Sequence, residues 1–129
     1  MKIEAIYADS NGETHYGHID KDFKDFGDIG QIAEVDAANA IFFRHTTPEY
    51  SYEWHNTPRY QYVINLKGGV SITVSDGTTK TFYQGDVFLL LDTVGKGHFS
   101  KSLGEERFSV FIAITEETAK KLLAKLLKN

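Results

Sequence analysis

WHNTPRYQYVINLKGG, residues 54–69, starts next to a histidine, places a glutamine after five intervening residues and closes on a glycine pair. An extended chain alternates its side chains, so His55, Thr57, Arg59, Gln61, Val63 and Asn65 would share one side. Asn56, Tyr60, Tyr62, Ile64 and Leu66 would share the other. The first row is the polar one. A buried polar group left without a hydrogen bond costs about 1–3 kcal/mol, so this row is expected to line a wet cavity at the mouth of a barrel.

Outward from this stretch the dominant signal is period-two alternation broken by turn residues, with only 2 prolines in the chain. Residues 2–8 and 14–20 read as strands around Ser10-Asn11-Gly12, and residues 21–30 as a loop rich in glycine and aspartate. Residues 31–46 read as one long or two short strands. After the Pro48 loop, strands are expected at about 59–66, 70–75, 79–83, 86–91, 97–102 and 107–114, with Asp76-Gly77 turning the second of these onto the third. About eight or nine short strands with regular turns describe an all-β barrel or two-sheet jelly roll, which hides its strand edges.

The period changes at the end. Ala119, Leu122, Leu123, Leu126 and Leu127 have helical spacing, so a helix is expected over about residues 115–128. Thr115 is the expected N-cap, with Glu116 and Glu117 in the first turn and Lys125 and Lys128 in the last. Its leucines would cover the barrel or a partner subunit. The cationic face of Lys120, Lys121, Lys125 and Lys128 also suits a membrane surface, but the helix is short for that task and no membrane partner is expected.

Composition narrows the function classes. The chain has 129 residues, 41% of them hydrophobic, which suits one domain spanning 1–129. The net charge of −4 arises within residues 1–30, where Glu4, Asp9, Glu13, Asp20, Asp22, Asp25 and Asp28 outnumber Lys2, Lys21 and Lys24. No basic face is visible, so nucleic acid is not an expected partner. Without cysteine there is neither a disulfide nor a thiolate metal site. Glu4 and Asp9 interrupt the apolar run a signal peptide requires, so the expected location is the cytoplasm.

Residues 54–69 followed by DGTTKTFYQGDVFLLLDTVGKGH, residues 76–98, resemble the cupin superfamily, specifically its small single-domain members. That family's first motif runs His-x-His, three residues, Glu, six residues, Gly. Here His55 takes the first histidine, Thr57 stands at the second, Gln61 at the glutamate and Gly68 at the glycine. The second motif, from Gly-Asp to a histidine three residues after a glycine, matches Gly85-Asp86 and Gly95-Lys96-Gly97-His98. The resemblance implies a cupin-like jelly-roll or double-stranded β-helix barrel with its core at about residues 31–114, closed by the C-terminal helix, and usually a homodimer.

The same residues carry the chemical expectations. His55 and His98, with Gln61 as a neutral oxygen where a carboxylate is usual, are the candidate ligands for a divalent ion such as iron, manganese, nickel or zinc. Alternatively His98 with Asp92, and His55 beside them, form a metal-free acid–base set in which Arg59 holds an anionic or enolate oxygen. That arrangement is similar to the histidine-dependent, metal-free cupin isomerases and epimerases. His45, Trp54 and Tyr62 are further candidates for ligand contact, with Arg44 on the parity opposite to His45. Three functions follow: an enzyme acting on a small organic acid, polyketide-like molecule or sugar, a barrel that binds a small ligand without turnover, or a structural dimer module.

Overall fold

The computed structural model describes residues 1–128. The expected N-terminal hairpin forms as β1 (Lys2–Ala8) and β2 (Thr14–Asp20). The stretch read as loop instead begins a small arm, β3 (Phe23–Asp25) and β4 (Gln31–Ala33), joined through a 3-10 turn at Gly27–Ile29. Three-residue strands whose side chains are mostly exposed leave no alternation to detect. The chain continues through β5 (Ala38–Thr46), β6 (Ser51–His55), β7 (Gln61–Lys67), β8 (Val70–Val74), β9 (Thr79–Phe82), β10 (Val87–Leu90), β11 (His98–Ser102) and β12 (Arg107–Ile114), and ends in α1 (Glu116–Leu127).

Two main sheets result. One has six strands in the order β2-β1-β10-β7-β12-β5, the other four in the order β6-β11-β8-β9. Nearly all pairings are antiparallel, and β1 joins β10 in parallel. The N-terminal hairpin is therefore part of the larger sheet, and the barrel strands begin at Lys2, well before the expected residue 31. This is an all-β, two-sheet jelly-roll barrel with one C-terminal helix.

The alternation sorts the apolar side chains into two cores. Ile6, Val63, Phe88 and Leu90 of the larger sheet meet Val70, Ile72, Val74 and Phe82 of the smaller one, filling one end of the space between the sheets. On the outer face of the larger sheet, Ile3, Ala5, Ile19, Tyr62 and Leu89 pack under Ala119, Leu122 and Leu126 of α1. Thr115 caps that helix by accepting from the Thr118 N–H at 3.2 Å. The helix leucines are thus largely covered by their own barrel and do not require a second subunit. Among the exposed apolar side chains, Ile41 and Phe43 lie on the edge strand β5.

Candidate functional site

The smaller sheet brings the two histidines together. β6 and β11 pair antiparallel with His98 directly opposite His55. Gly97 permits that register: it has φ +77°, and a Cβ there would lie 2.4 Å from the His55 carbonyl oxygen. The two rings meet edge to face with centroids 4.4 Å apart, and His55 also stacks on Tyr52 at 3.6 Å.

Each ring is held through Nδ1. His55 Nδ1–H donates to the Glu53 carbonyl at 2.7 Å. His98 Nδ1 shares a 2.6 Å hydrogen bond with Asp92 Oδ2, and both side chains are almost wholly buried, at 2% and 0% exposure. Asp92 lies just beyond β10, where its carbonyl accepts from the Thr57 N–H at 3.2 Å and the Asn56 amide at 3.3 Å. The loop after β6 therefore fixes the carboxylate that fixes His98. The Nε2 atoms are the ring nitrogens left for a ligand.

Burial sets the charges of this group. It lifts the Asp92 carboxyl above its ordinary range, and the His98 hydrogen bond only partly opposes that. Asp92 Oδ1 is buried without a partner. Burial likewise holds the His55 imidazole below its ordinary value, with His98 adding repulsion, so His55 is uncharged at neutral pH and its Nε2 is an acceptor.

The histidines open onto a cavity of about 260 Å³ between the sheets, lined also by Gln61, Tyr52, Arg44 and Arg107. Gln61 is fully buried; its amide nitrogen donates to Thr57 Oγ1 at 3.4 Å and its carbonyl accepts from Arg59 Nη1 at 3.4 Å. Arg107 is 4% exposed, and its Nε–H donates to Asn65 Oδ1 at 2.9 Å. Burial, with Arg44 nearby, pushes the Arg107 guanidinium down to about 10, still charged at neutral pH.

Several expected residues lie elsewhere. Arg59 does not line the cavity, because the chain leaves the extended conformation between His55 and Gln61, at Pro58, and period two fails there. Its guanidinium lies over the Phe42 ring at 4.4 Å and reaches the cavity only through Gln61. Tyr62 faces the helix-covered core, with its hydroxyl donating to Asp36 Oδ2 at 2.6 Å. Trp54 is half exposed against the edge of Phe99. His45 points outward to Glu106 at 3.2 Å, so on β5 it is the opposite parity, Arg44, that reaches the cavity. Arg107 was not singled out from the sequence. Its signal was its shared parity with Ser109 and Phe111 in a strand otherwise apolar.

For a divalent ion the donor set is two imidazoles and one amide whose oxygen already faces a guanidinium. Among the described residues no three His, Asp or Glu side chains come together as ligands. That set does not fit a facial site of two histidines and a carboxylate.

No family model and no curated protein matches the chain. Among solved structures, it is similar to a Cupin 2 conserved barrel domain protein from Salinispora arenicola, at 20% identity over 70% of this chain and 75% of that one, TM-score 0.49. A conserved protein of unknown function from Streptococcus pyogenes gives 18% identity over 66% and 69%, TM-score 0.47. A cupin domain from Bordetella pertussis gives 16% over 58% and 79%, TM-score 0.41. These likenesses concern the fold and bring no ligand, metal or reaction with them. The jelly-roll barrel itself rests on the strand order and the facing sheets described above.

Proposed function

We propose that the cavity is the site of a small-molecule proton-transfer enzyme, in which His98 is the base, Asp92 orients it and His55 is the uncharged partner. The observation that carries this reading is the buried 2.6 Å bond between His98 and Asp92, with His55 opposite in register and both rings at one cavity. His98 Nε2 takes a proton from a carbon beside a carbonyl. The C–H electron pair forms the enolate, and the proton returns to the same or the neighbouring carbon. Asp92 balances the imidazolium charge while the proton is held, and His55 Nε2 accepts from a substrate hydroxyl.

Solvent exchange tests it without knowledge of the product. A panel of hydroxyketones, 2-oxo acids and keto sugars is incubated with the protein in D2O and followed by proton NMR. Catalysed deuterium incorporation next to a carbonyl is expected for at least one compound that binds. Compounds that bind, raise the melting temperature and return undeuterated would overturn catalysis in favour of a ligand-binding barrel.

A second reading places a divalent ion on the two histidines that line the cavity, with solvent standing where the missing carboxylate would be. Metal analysis of protein purified without chelator, before and after loading with iron, manganese, nickel or zinc, decides it: about one ion per chain, lost in His55→Ala, is its signature. Pairing with a second copy is proposed along β5, through Ile41 and Phe43. Sedimentation should then show a dimer that Phe43→Asp dissociates; equal masses for both proteins would rule that surface out.

A further inference from the structure

The cavity also carries positive charge that no acidic side chain among the described residues pairs with. Arg107 opens β12 and Arg44 lies near the end of β5. In the register of these strands Arg44 faces Ser109 and Arg107 faces Thr46, so both arginines stand on the inner face as diagonal neighbours. Among the described residues, neither has an acidic side chain within ion-pair distance. Asp92, the one buried acid among the described residues, is committed to His98.

Both guanidiniums are nevertheless held in place. Asn65 donates through Nδ2 to the carbonyls of Phe82 and Tyr83, at 3.3 and 3.2 Å, and presents Oδ1 to Arg107 Nε. Only the Nε edge of Arg107 is spent there, leaving its Nη groups for the cavity it lines. The Arg44 guanidinium lies over the rings of Tyr50, at 4.8 Å, and Phe111, at 5.1 Å. A buried charge without a counter-charge is expensive, and a guanidinium does not escape by losing its proton at neutral pH. Arg107 is buried and Arg44 partly exposed, and these two cations, held as diagonal neighbours and repelling one another, are a receptor awaiting an anion. Thr46, opposite Arg107, adds a buried hydroxyl oxygen with no partner.

We propose that the molecule bound here is a small organic carboxylate, its carboxylate on Arg107 with Arg44 as the second cation and its carbonyl end toward His55 and His98. The planar fork of Arg107 matches a carboxylate in two-pronged fashion. The cavity, about 260 Å³, lies just under the ~300 Å³ at which ligand sites usually begin, which suits a molecule of few atoms. This inference rests on the acid–base reading for the orientation of the ligand but not for its charge.

The test is calorimetric titration of the full chain with malonate, 2-oxoglutarate, inorganic phosphate and the neutral ester dimethyl malonate. The carboxylates are expected to bind, the ester not, with affinity falling as sodium chloride rises. Arg107→Gln should weaken carboxylate binding at least about tenfold, since a charge-assisted hydrogen bond contributes roughly 1.5–3 kcal/mol. If that variant does not fold, Arg44→Gln, at a partly exposed residue, should weaken it several-fold. Unchanged affinity in a folded Arg107→Gln or Arg44→Gln variant, or equal binding of the ester, would overturn the proposal. Phosphate binding in preference to both carboxylates would overturn the carboxylate assignment. His98→Gln reads the catalysis alone: it should abolish deuterium exchange in any compound that the unaltered protein exchanges. Exchange without carboxylate dependence refutes this inference alone, and carboxylate binding without exchange refutes only the proposed catalysis.

Discussion

Two of the molecule's histidine–aspartate assemblies have opposite characters. At the surface His15 bridges two acids, Nε2 to Asp9 at 2.8 Å and Nδ1 to Asp76 at 2.9 Å, and so ties the β1–β2 turn to the β8–β9 turn. Both ring nitrogens are used, hydrogen bonds to Asp9 and Asp76 raise the imidazole, and the Asp9 carboxyl is lowered by the same bond. In the cavity His98 uses one nitrogen, its acid is raised by burial, and one carboxyl oxygen has no partner. A clasp satisfies every group it contains. A site keeps one nitrogen and one charge for something that arrives.

Breaking the comparison at the backbone gives the largest effect. Gly97 and Gly12 both have positive φ, but a Cβ at Gly97 would meet the His55 backbone at 2.4 Å, whereas at Gly12 the nearest atom is 3.5 Å away. Gly97→Ala should lower the unfolding free energy in urea by about 3 kcal/mol or more, and Gly12→Ala by about 1 kcal/mol. Equal losses would mean that close approach at the histidine pair is not what fixes the register.

Next comes the carboxylate. Asp92→Asn should leave a folded protein that catalyses deuterium exchange about a hundredfold or more slowly, as a base with the wrong tautomer does. Asp9→Asn should leave exchange intact.

The smallest effect is the pH dependence of the clasp. His15 is raised in the fold, so its contribution is fully present below its unfolded value of about 6.5 and is lost as pH rises through the folded one. His15→Phe should therefore lower the melting temperature by a few degrees at pH 6 and by less at pH 9. His55, lowered in the fold, works in the other sense: its share is present above about pH 6.5 and fades as pH falls toward its folded value. His55→Gln should cost more stability at pH 7.5 than at pH 5. A loss that does not shrink on acidification would contradict the burial of a neutral ring.

Much of the barrel was legible because its strands alternate between a core and a different environment. Ser10-Asn11-Gly12 marked the β1–β2 turn, and Asp76-Gly77 marked the β8–β9 turn. β6 escaped notice because SYEWH is an edge strand exposed over four of its five residues, so its aromatic side chains follow no buried row. In the site, His55 and His98 could be named from the resemblance of residues 54–98 to the cupin motifs, and Asp92 from its place at the end of the row Phe88, Leu90, Asp92. Arg59 was misplaced because parity was carried through Pro58, where the chain is not extended. Arg107 and Arg44 were hidden for a different reason: a cation at a strand end reads as solvated, and only the pairing of β5 with β12 reveals that both face inward.

The most direct measurement is the rate of deuterium exchange, in one carbonyl compound that binds, for His98→Gln beside His15→Gln. The account predicts a loss of about a hundredfold or more in the first and a wild-type rate in the second. Equal rates in the two variants would contradict the division between site and clasp.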